Sequence, residues 1–427
     1  MKHILFLAIF ALSILSCLPK QNNIVKSTTT TPNILFIIAD DIGKDAMNGF
    51  SEGTIKPNTP NLDGIKNSGL SFNNFWVNPT CSPTRAAIIT GKYGFRTGVQ
   101  WAGDKLATTE TTLQKHIAKE TNNAYATALI GKWHLSGNNS SFNPEDMGID
   151  YFSGIMKGGT KDYNSWSLFE DGETTTQDQY ITEKFTDLAI NWVNKQDKPW
   201  FLWLAYTAPH TPFHAPPAHM HSQGDLPSYS KGTDAMPYYM AAIEAMDYQI
   251  GRLLKNLSPK ERENTIIIFI GDNGTPRRVA QAPYKNKAKG TLYQGGVNTP
   301  MFVSGYGVTR KGIDNSLVNN TDLFATISEI TGSSTSEIND SKSFKPLLST
   351  SKSHRDYIYT EMDNKGNSSW TIRNTNYKII ANASGIEKMF DLITDPNETN
   401  NLLENTLTNS ETLAKETLQT ELNTIRN

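Results

Sequence analysis

The chain has 427 residues, with 40 Lys+Arg against 42 Asp+Glu and a formal net charge of -2; this balance lacks the basic excess of a nucleic-acid binder and argues against nucleic acid as a partner. Hydrophobic residues at 37% and 20 prolines describe an ordinary, rather loop-rich globular protein. The two cysteines, Cys17 and Cys81, cannot make a thiolate cluster for zinc.

Cys17 closes a leader. Lys2 and His3 precede an apolar run through Leu15 that is too short to span a bilayer comfortably, the pattern of a secretory signal. Ile14-Leu15-Ser16-Cys17 resembles the lipobox of bacterial lipoproteins. That resemblance makes Cys17 a lipidated first residue and implies an exported protein, periplasmic or outer-membrane-anchored, held to the membrane by an N-terminal lipid. With Cys17 so used, Cys81 has no disulfide partner in the mature chain. Residues 18–31 are polar and aperiodic, a tether. The remainder divides into a large domain over 32–334 and a small C-terminal subdomain over 335–427.

Four short apolar runs, at 33–39, 124–130, 200–206 and 265–270, end in polar residues with chemical capability. They run into Asp40-Asp41, into Gly131-Lys132-Trp133-His134, toward Pro209-His210, and into Gly271-Asp272-Asn273-Gly274. Continuous apolar runs bounded by turn residues mark strands buried on both faces, as in a mostly parallel α/β sheet sandwiched by helices. Helices are expected over 180–195 and 238–257, where apolar residues fall on one face. Ligands of such sheets collect beyond the carboxyl ends of the strands, so the four strand ends are expected to meet at one site. Asp40, Asp41, Asp272 and Asn273 offer only oxygens, which suit Ca²⁺, or Mg²⁺, rather than zinc. Taken singly, either pair reads equally well as a polar strand end or a turn.

Cys81-Ser82-Pro83-Thr84-Arg85, followed by Thr90-Gly91, resembles the signature C-x-P-[ST]-R-x-x-x-x-T-G of the type I sulfatases of the alkaline phosphatase superfamily. Asn33–Ala39 with Asp40-Asp41, Gly131–His134, Ala208-Pro209-His210-Thr211-Pro212, Gly271–Gly274 and Lys289-Gly290-Thr291-Leu292-Tyr293 resemble further motifs of that family, in its order. Phe390–Pro396 resembles a strand and turn near its end, so the likeness covers roughly residues 32–405.

The resemblance implies an alkaline phosphatase-like fold and a sulfuric ester hydrolase acting on sulfated carbohydrate. It implies that a maturation enzyme oxidises Cys81 to formylglycine, whose hydrate attacks sulfur with one hydroxyl and expels sulfate with the other. It places Ca²⁺ on Asp40, Asp41, Asp272, Asn273 and the modified Cys81. It assigns Arg85, Lys132 and His134 to the diol, with His134 as base for the collapse, and Lys132, His210 and Lys289 to the sulfate, with His210 and Lys289 protonating the leaving alcohol. Arg85, four residues beyond Cys81, falls near the same face of a helix starting about Pro83. Lys132 and His134 alternate on an extended segment and can face one site. Apart from the resemblance, these three read more readily as surface or turn residues, and Lys289 has close neighbours in Lys285 and Lys287.

His210, His214, His219 and His221 crowd one segment, but Pro209, Pro212, Pro216 and Pro217 prevent a helix from presenting them as zinc ligands. Where relatives carry E-G-G-x-R-x-P, this chain has Gln294-Gly295-Gly296-Val297-Asn298-Thr299-Pro300. Two other functions fit the pattern: a phosphate or phosphonate ester hydrolase of the same superfamily, against which Asn273 argues, and an inactive sulfated-glycan-binding lipoprotein. Trp101, Tyr163, Trp166, Arg277, Arg278 and Tyr284 lie in expected loops, where they either stack on sugar and pair with anions or simply pack. The C-terminal subdomain is expected to hold strands at 357–360, 370–373 and 377–381 and a helix near 410–425.

Overall fold

The structure, a computed structural model, describes residues 31–137 and 142–427. The leader, most of the tether and Cys17 lie outside the described residues. Ten strands form one sheet. In chain order they are β1 (Asn33–Ala39), β2 (Leu70–Trp76), β3 (Ala126–Lys132), β4 (Tyr151–Ile155), β5 (Trp166–Glu170), β6 (Glu173–Gln177), β7 (Trp200–Ala205), β8 (Thr265–Gly271), β9 (Met301–Gly305) and β10 (Gly312–Asn319). Their order across the sheet is β10-β2-β9-β8-β1-β7-β3-β4-β5-β6.

The four strands expected from sequence are the adjacent central ones, β8-β1-β7-β3, and all run parallel. Each is buried along its whole length. Alternation in β1 sends Ile34, Phe36 and Ile38 to one core and Leu35, Ile37 and Ala39 to the other. On the Leu35 side lie helices Ile181–Val193 and Met236–Asn256, which bury Phe185, Trp192, Ile243 and Ile250. On the Ile34 side lie helices Cys81–Thr90, Leu113–Glu120 and Asp322–Ile330. Burying apolar surface on both faces is what holds a sheet of this kind. The sheet is mixed at its margins, where β9, β5 and β6 pair antiparallel.

Register decides where the strands end. Ala39 lies opposite Gly271, Ile38 opposite Ala205, and Ala205 opposite Gly131. The four chains therefore leave the sheet within about a residue of one another, on one edge. Gly131 is required there. Its φ is +113°, and a Cβ would stand 1.9 Å from the Ala205 carbonyl oxygen of the neighbouring strand. Gly131→Ala is expected to destabilise the fold by about 3 kcal/mol, the sum of backbone strain and strand separation, read as a lowered midpoint in urea.

A two-stranded piece, β11 (Glu337–Ile338) with β12 (Ser341–Lys342), precedes a four-stranded antiparallel sheet. That sheet is formed by β13 (Ile358–Asn364), β14 (Asn367–Arg373), β15 (Tyr377–Asn382) and β16 (Glu387–Asp391). Helix Asn409–Arg426, started by a capping box of Thr408 and Glu411, lays Leu418 and Leu422 against Tyr359, Ile372 and Ile379.

Candidate active site

Beyond β1, Asp40 and Asp41 are 0% and 2% exposed; beyond β8, Asp272 and Asn273 are both 0% exposed. Asp41 takes a left-handed φ of 75°, and its N–H donates to Asp272 Oδ1 at 3.1 Å. Asn273 Nδ2 donates to Asp41 Oδ1 at 2.7 Å. The two strand ends thus gather three carboxylates and one amide in one buried cluster.

Three cations face them. Arg85 reaches from helix Cys81–Thr90 and grips Asp272 Oδ2 with Nε at 3.2 Å and Nη2 at 2.8 Å, while its Nη1 donates to the Lys132 carbonyl at 2.9 Å. Lys132, the last residue of β3, donates to Asp40 Oδ2 at 2.5 Å, with both side chains fully buried. Lys289 pairs with Asp41. Lys287 turns away to the carbonyls of Asn397 and Glu398, at 2.8 and 2.6 Å, so of the two only Lys289 enters this cluster.

Two oxygens in this buried cluster have no hydrogen-bond donor among the described residues: Asp40 Oδ1 and Asn273 Oδ1. A buried acceptor left without a partner costs about 1–3 kcal/mol unless something electropositive satisfies it. Burial first, and then the charge of Asp40, push the Asp272 carboxyl above its usual range despite Arg85. Burial also raises Asp41, but Lys289 and His210 outweigh it and leave that carboxyl below the usual range. Unpartnered oxygens of a carboxylate and an amide, beside crowded acids, fit a hard divalent cation. Asp40, Asp41 and His210 also offer one ligand atom each within 4.8 Å of one another.

Cys81 is the first residue of its helix, 2% exposed, with Sγ 3.1 Å from His134 Nδ1. It lies close enough to Arg85 and Lys289 for a thiolate there to favour both charges. Burial, then Lys132 and Arg85, hold the His134 imidazole far below its usual pKa, so the ring is neutral. His134 and Lys132 do face one site, but not by strand alternation. The strand ends at Lys132, and His134 turns in through a left-handed φ of 57° while Trp133 packs against Phe142.

His210 stands at the rim, its side chain 21% exposed, with Nε2 3.9 Å from Asp41 Oδ2. Its Nδ1 lies 2.7 Å from the Thr211 carbonyl, which can only accept. The neutral ring therefore carries its lone pair on Nε2. His214 is elsewhere, stacked on Tyr163 at 3.7 Å and bonded to Tyr180, and burial lowers its pKa to about 4.

Several residues seen as possible sugar contacts serve the scaffold instead. Tyr163 is 1% exposed and donates to the carbonyls of Thr207 and His210, at 2.9 and 2.6 Å, fixing the His210 segment. Trp166 belongs to β5 rather than a loop, 4% exposed, edge-on to Phe185. Tyr284 is 3% exposed and donates to Glu52 at 3.0 Å. Trp101 is partly exposed beside Gly290, Arg277 is exposed, and Arg278 lies over Phe213 and Tyr229.

Sequence reasoning missed two supports. Ser82 Oγ donates to the His134 carbonyl at 2.9 Å, and Tyr239 donates to the Asp41 carbonyl at 2.7 Å. Ser82 is signalled only by its adjacency to Cys81; Tyr239 carries no local signal. The departures at 294 and 298 lie apart from the cluster. Gln294 Oε1 accepts from the Trp76 indole at 3.0 Å and Asn298 Nδ2 donates to the Asn73 carbonyl at 3.3 Å. The acid of that neighbourhood is Glu398, buried on Lys378 at 2.5 Å.

The sulfatase family model matches residues 32–333, and a model described as N-sulphoglucosamine sulphohydrolase, C-terminal, matches 285–427. The chain is 31% identical to the uncharacterized sulfatase YdeN of Escherichia coli K12, over 70% of this chain and 62% of that one. The match therefore leaves more than a third of YdeN uncovered. It is 27% identical to an arylsulfatase of Klebsiella aerogenes, over 74% of this chain and 89% of that one. It is 34% identical to an N-acetylglucosamine-6-O-sulfatase of Bacteroides thetaiotaomicron, over 51% of this chain and 37% of that one. Among solved structures, Ps i-CgsB in complex with k-i-k-neocarrahexaose superposes with a TM-score of 0.78 at 26% identity, covering 92% of each chain.

Proposed function

The chain belongs to the sulfatase family, the type I branch of the alkaline phosphatase superfamily, and from that premise we propose that it hydrolyses sulfate esters of carbohydrate with a formylglycine made from Cys81. The observation that carries this reading is Cys81 at the head of a helix, 3.1 Å from a neutral histidine and beside Arg85 and Lys289. Once hydrated, formylglycine supplies two hydroxyls on one carbon, one to attack sulfur and one to restore the aldehyde and expel sulfate. Asp40, Asp41, Asp272 and Asn273 would hold Ca²⁺, or Mg²⁺, which supplies a Lewis acid for sulfate oxygens.

The chain's own side chains do the rest. Lys289 and His210, the histidine in its doubly protonated form, stand at the partly open rim, bind the sulfate oxygens and hand a proton to the departing sugar alcohol. Lys132 holds Asp40 in place and adds positive charge behind the sulfate. Arg85 orients Asp272 and, through the Lys132 carbonyl, ties the head of the helix to the end of β3. His134, kept neutral, takes the proton released when sulfate leaves. Ser82 fixes the histidine by its carbonyl, so the ring does not need to be found by the substrate.

Carbohydrate is favoured by the N-acetylglucosamine-6-O-sulfatase relative and the neocarrahexaose-bound neighbour. Export and lipid anchoring through Cys17 belong to the same proposal and rest on the leader sequence. The test is free sulfate measured by ion chromatography after the matured protein meets a set of sulfated saccharides. Sulfate release that is lost on chelation and restored by Ca²⁺ is expected. Faster release of phosphate from the matching phosphate esters would overturn the reading.

A further inference from the structure

A pocket of about 430 Å³ opens beside the candidate active site, between the loop that follows β4 and the β5–β6 hairpin. That volume lies in the range of small-molecule sites, about 300–1,000 Å³. Its floor is apolar, made by Ile155, Met156 and Phe169. Lys157 and Lys161, both exposed, also line the pocket. Neither has an ion-pair partner among the described residues, and no Asp or Glu lines the pocket. The nearest acid in sequence, Asp162, accepts the N–H of Asn164 at 2.7 Å. Ser136, 1% exposed, also lines the pocket, and its Oγ has no hydrogen-bond partner among the described residues.

The pocket is tied to the reaction centre by backbone. His134 donates its N–H to the Met156 carbonyl at 3.2 Å, and Met156 lines the pocket. The two glycines that follow Lys157 lie directly on the catalytic histidines. A Cβ on Gly158 would stand 2.5 Å from the His134 ring, and one on Gly159 would stand 3.1 Å from His210 Nδ1. The loop can pass this close only without side chains. One strip of chain thus touches both histidines and lines the adjoining pocket. A sugar whose sulfate sits at His210 has its next substituent or next ring within reach of that pocket.

An apolar floor for a sugar face, a buried hydroxyl and two unpaired ammonium groups are the chemistry that recognises an anionic saccharide. Resting on the sulfatase reading above, we propose that this pocket seats a second acidic group of the substrate, a sulfate ester or carboxylate next to the scissile sulfate, held by Lys157 and Lys161. The preferred substrate is then a saccharide with at least two acidic groups, and a singly sulfated sugar is a poor one.

Binding measured by calorimetry on the full chain carrying Cys81→Ala, which blocks turnover, separates this claim from catalysis. Galactose 2,6-disulfate and glucuronic acid 2-sulfate supply a second sulfate and a carboxylate; galactose 6-sulfate supplies neither. At least one doubly acidic probe is expected to bind tenfold or more tightly than galactose 6-sulfate, and which one does identifies the source of the second group. Adding Lys157→Ala with Lys161→Ala should abolish that preference while leaving the affinity for galactose 6-sulfate unchanged. Both lysines are exposed, so the fold should tolerate the change. Equal binding of all three sugars, no binding of any, or a preference that survives loss of both lysines would overturn the pocket assignment. The sulfatase reading fails on a different result, absence of sulfate release by the matured protein.

Discussion

Cys81→Ala abolishes sulfate release, lowering kcat by at least about 10⁴-fold, as loss of a nucleophile does. Alanine keeps the fold: the site is 2% exposed and the change deletes one small atom at a helix start, costing about 1 kcal/mol. Cys81→Ser separates two parts of the mechanism. A serine hydroxyl can still be activated beside His134 and among Arg85, Lys132 and Lys289, but it has no second hydroxyl on the same carbon. One sulfuryl group should transfer and stay, read as a heavier protein and a single turnover. Steady release of sulfate by either variant would show that another group is the nucleophile.

Asp40→Asn should weaken Ca²⁺ binding by about 100-fold or more, because it removes a negative ligand whose second oxygen has no other partner. Lys132 keeps a hydrogen-bond acceptor but loses its buried counter-charge, a cost of about 3 kcal/mol in the metal-free fold. Thermal melts with and without Ca²⁺ read binding independently of activity. The unmodified sequence should gain about 2.7 kcal/mol when Ca²⁺ reaches a hundred times its dissociation constant; the variant should gain almost nothing at the same concentration. Asn273→Ala, which removes no charge, provides a second variant should Asp40→Asn fold poorly. An equal melting shift in all three proteins would remove these residues from the metal site.

The parts of the molecule legible in sequence are those where burial is complete. β1 and β8 are unbroken apolar runs because both faces of the central sheet are covered, and their boundaries follow directly from the polar residues at their ends. The same residues mark the site, since a parallel sheet delivers its strand ends to one edge. The second expected strand lies two residues later than its apolar run suggested, at Ala126–Lys132. Tyr125 looks like part of that run, but its hydroxyl donates to the Pro32 carbonyl at 2.7 Å. The C-terminal hairpin runs longer than its sequence suggests because its outer half is polar: β13 continues through Asp363 and Asn364 and returns at Asn367 through a turn at Lys365-Gly366. Trp166, expected in a loop, lies in β5, and the sequence hides this because its hairpin partner Glu173–Gln177 is exposed and carries no apolar alternation. The left-handed turns at Asp41 and His134 are set by tertiary contacts, which periodicity does not record.

The most direct measurement is the mass of the tryptic peptide spanning 67–85 from protein made in its native host. Conversion of Cys81 to formylglycine predicts a peptide lighter by about 18 Da than the encoded sequence. An unmodified Cys81 peptide, from a preparation that nonetheless releases sulfate, would contradict the account.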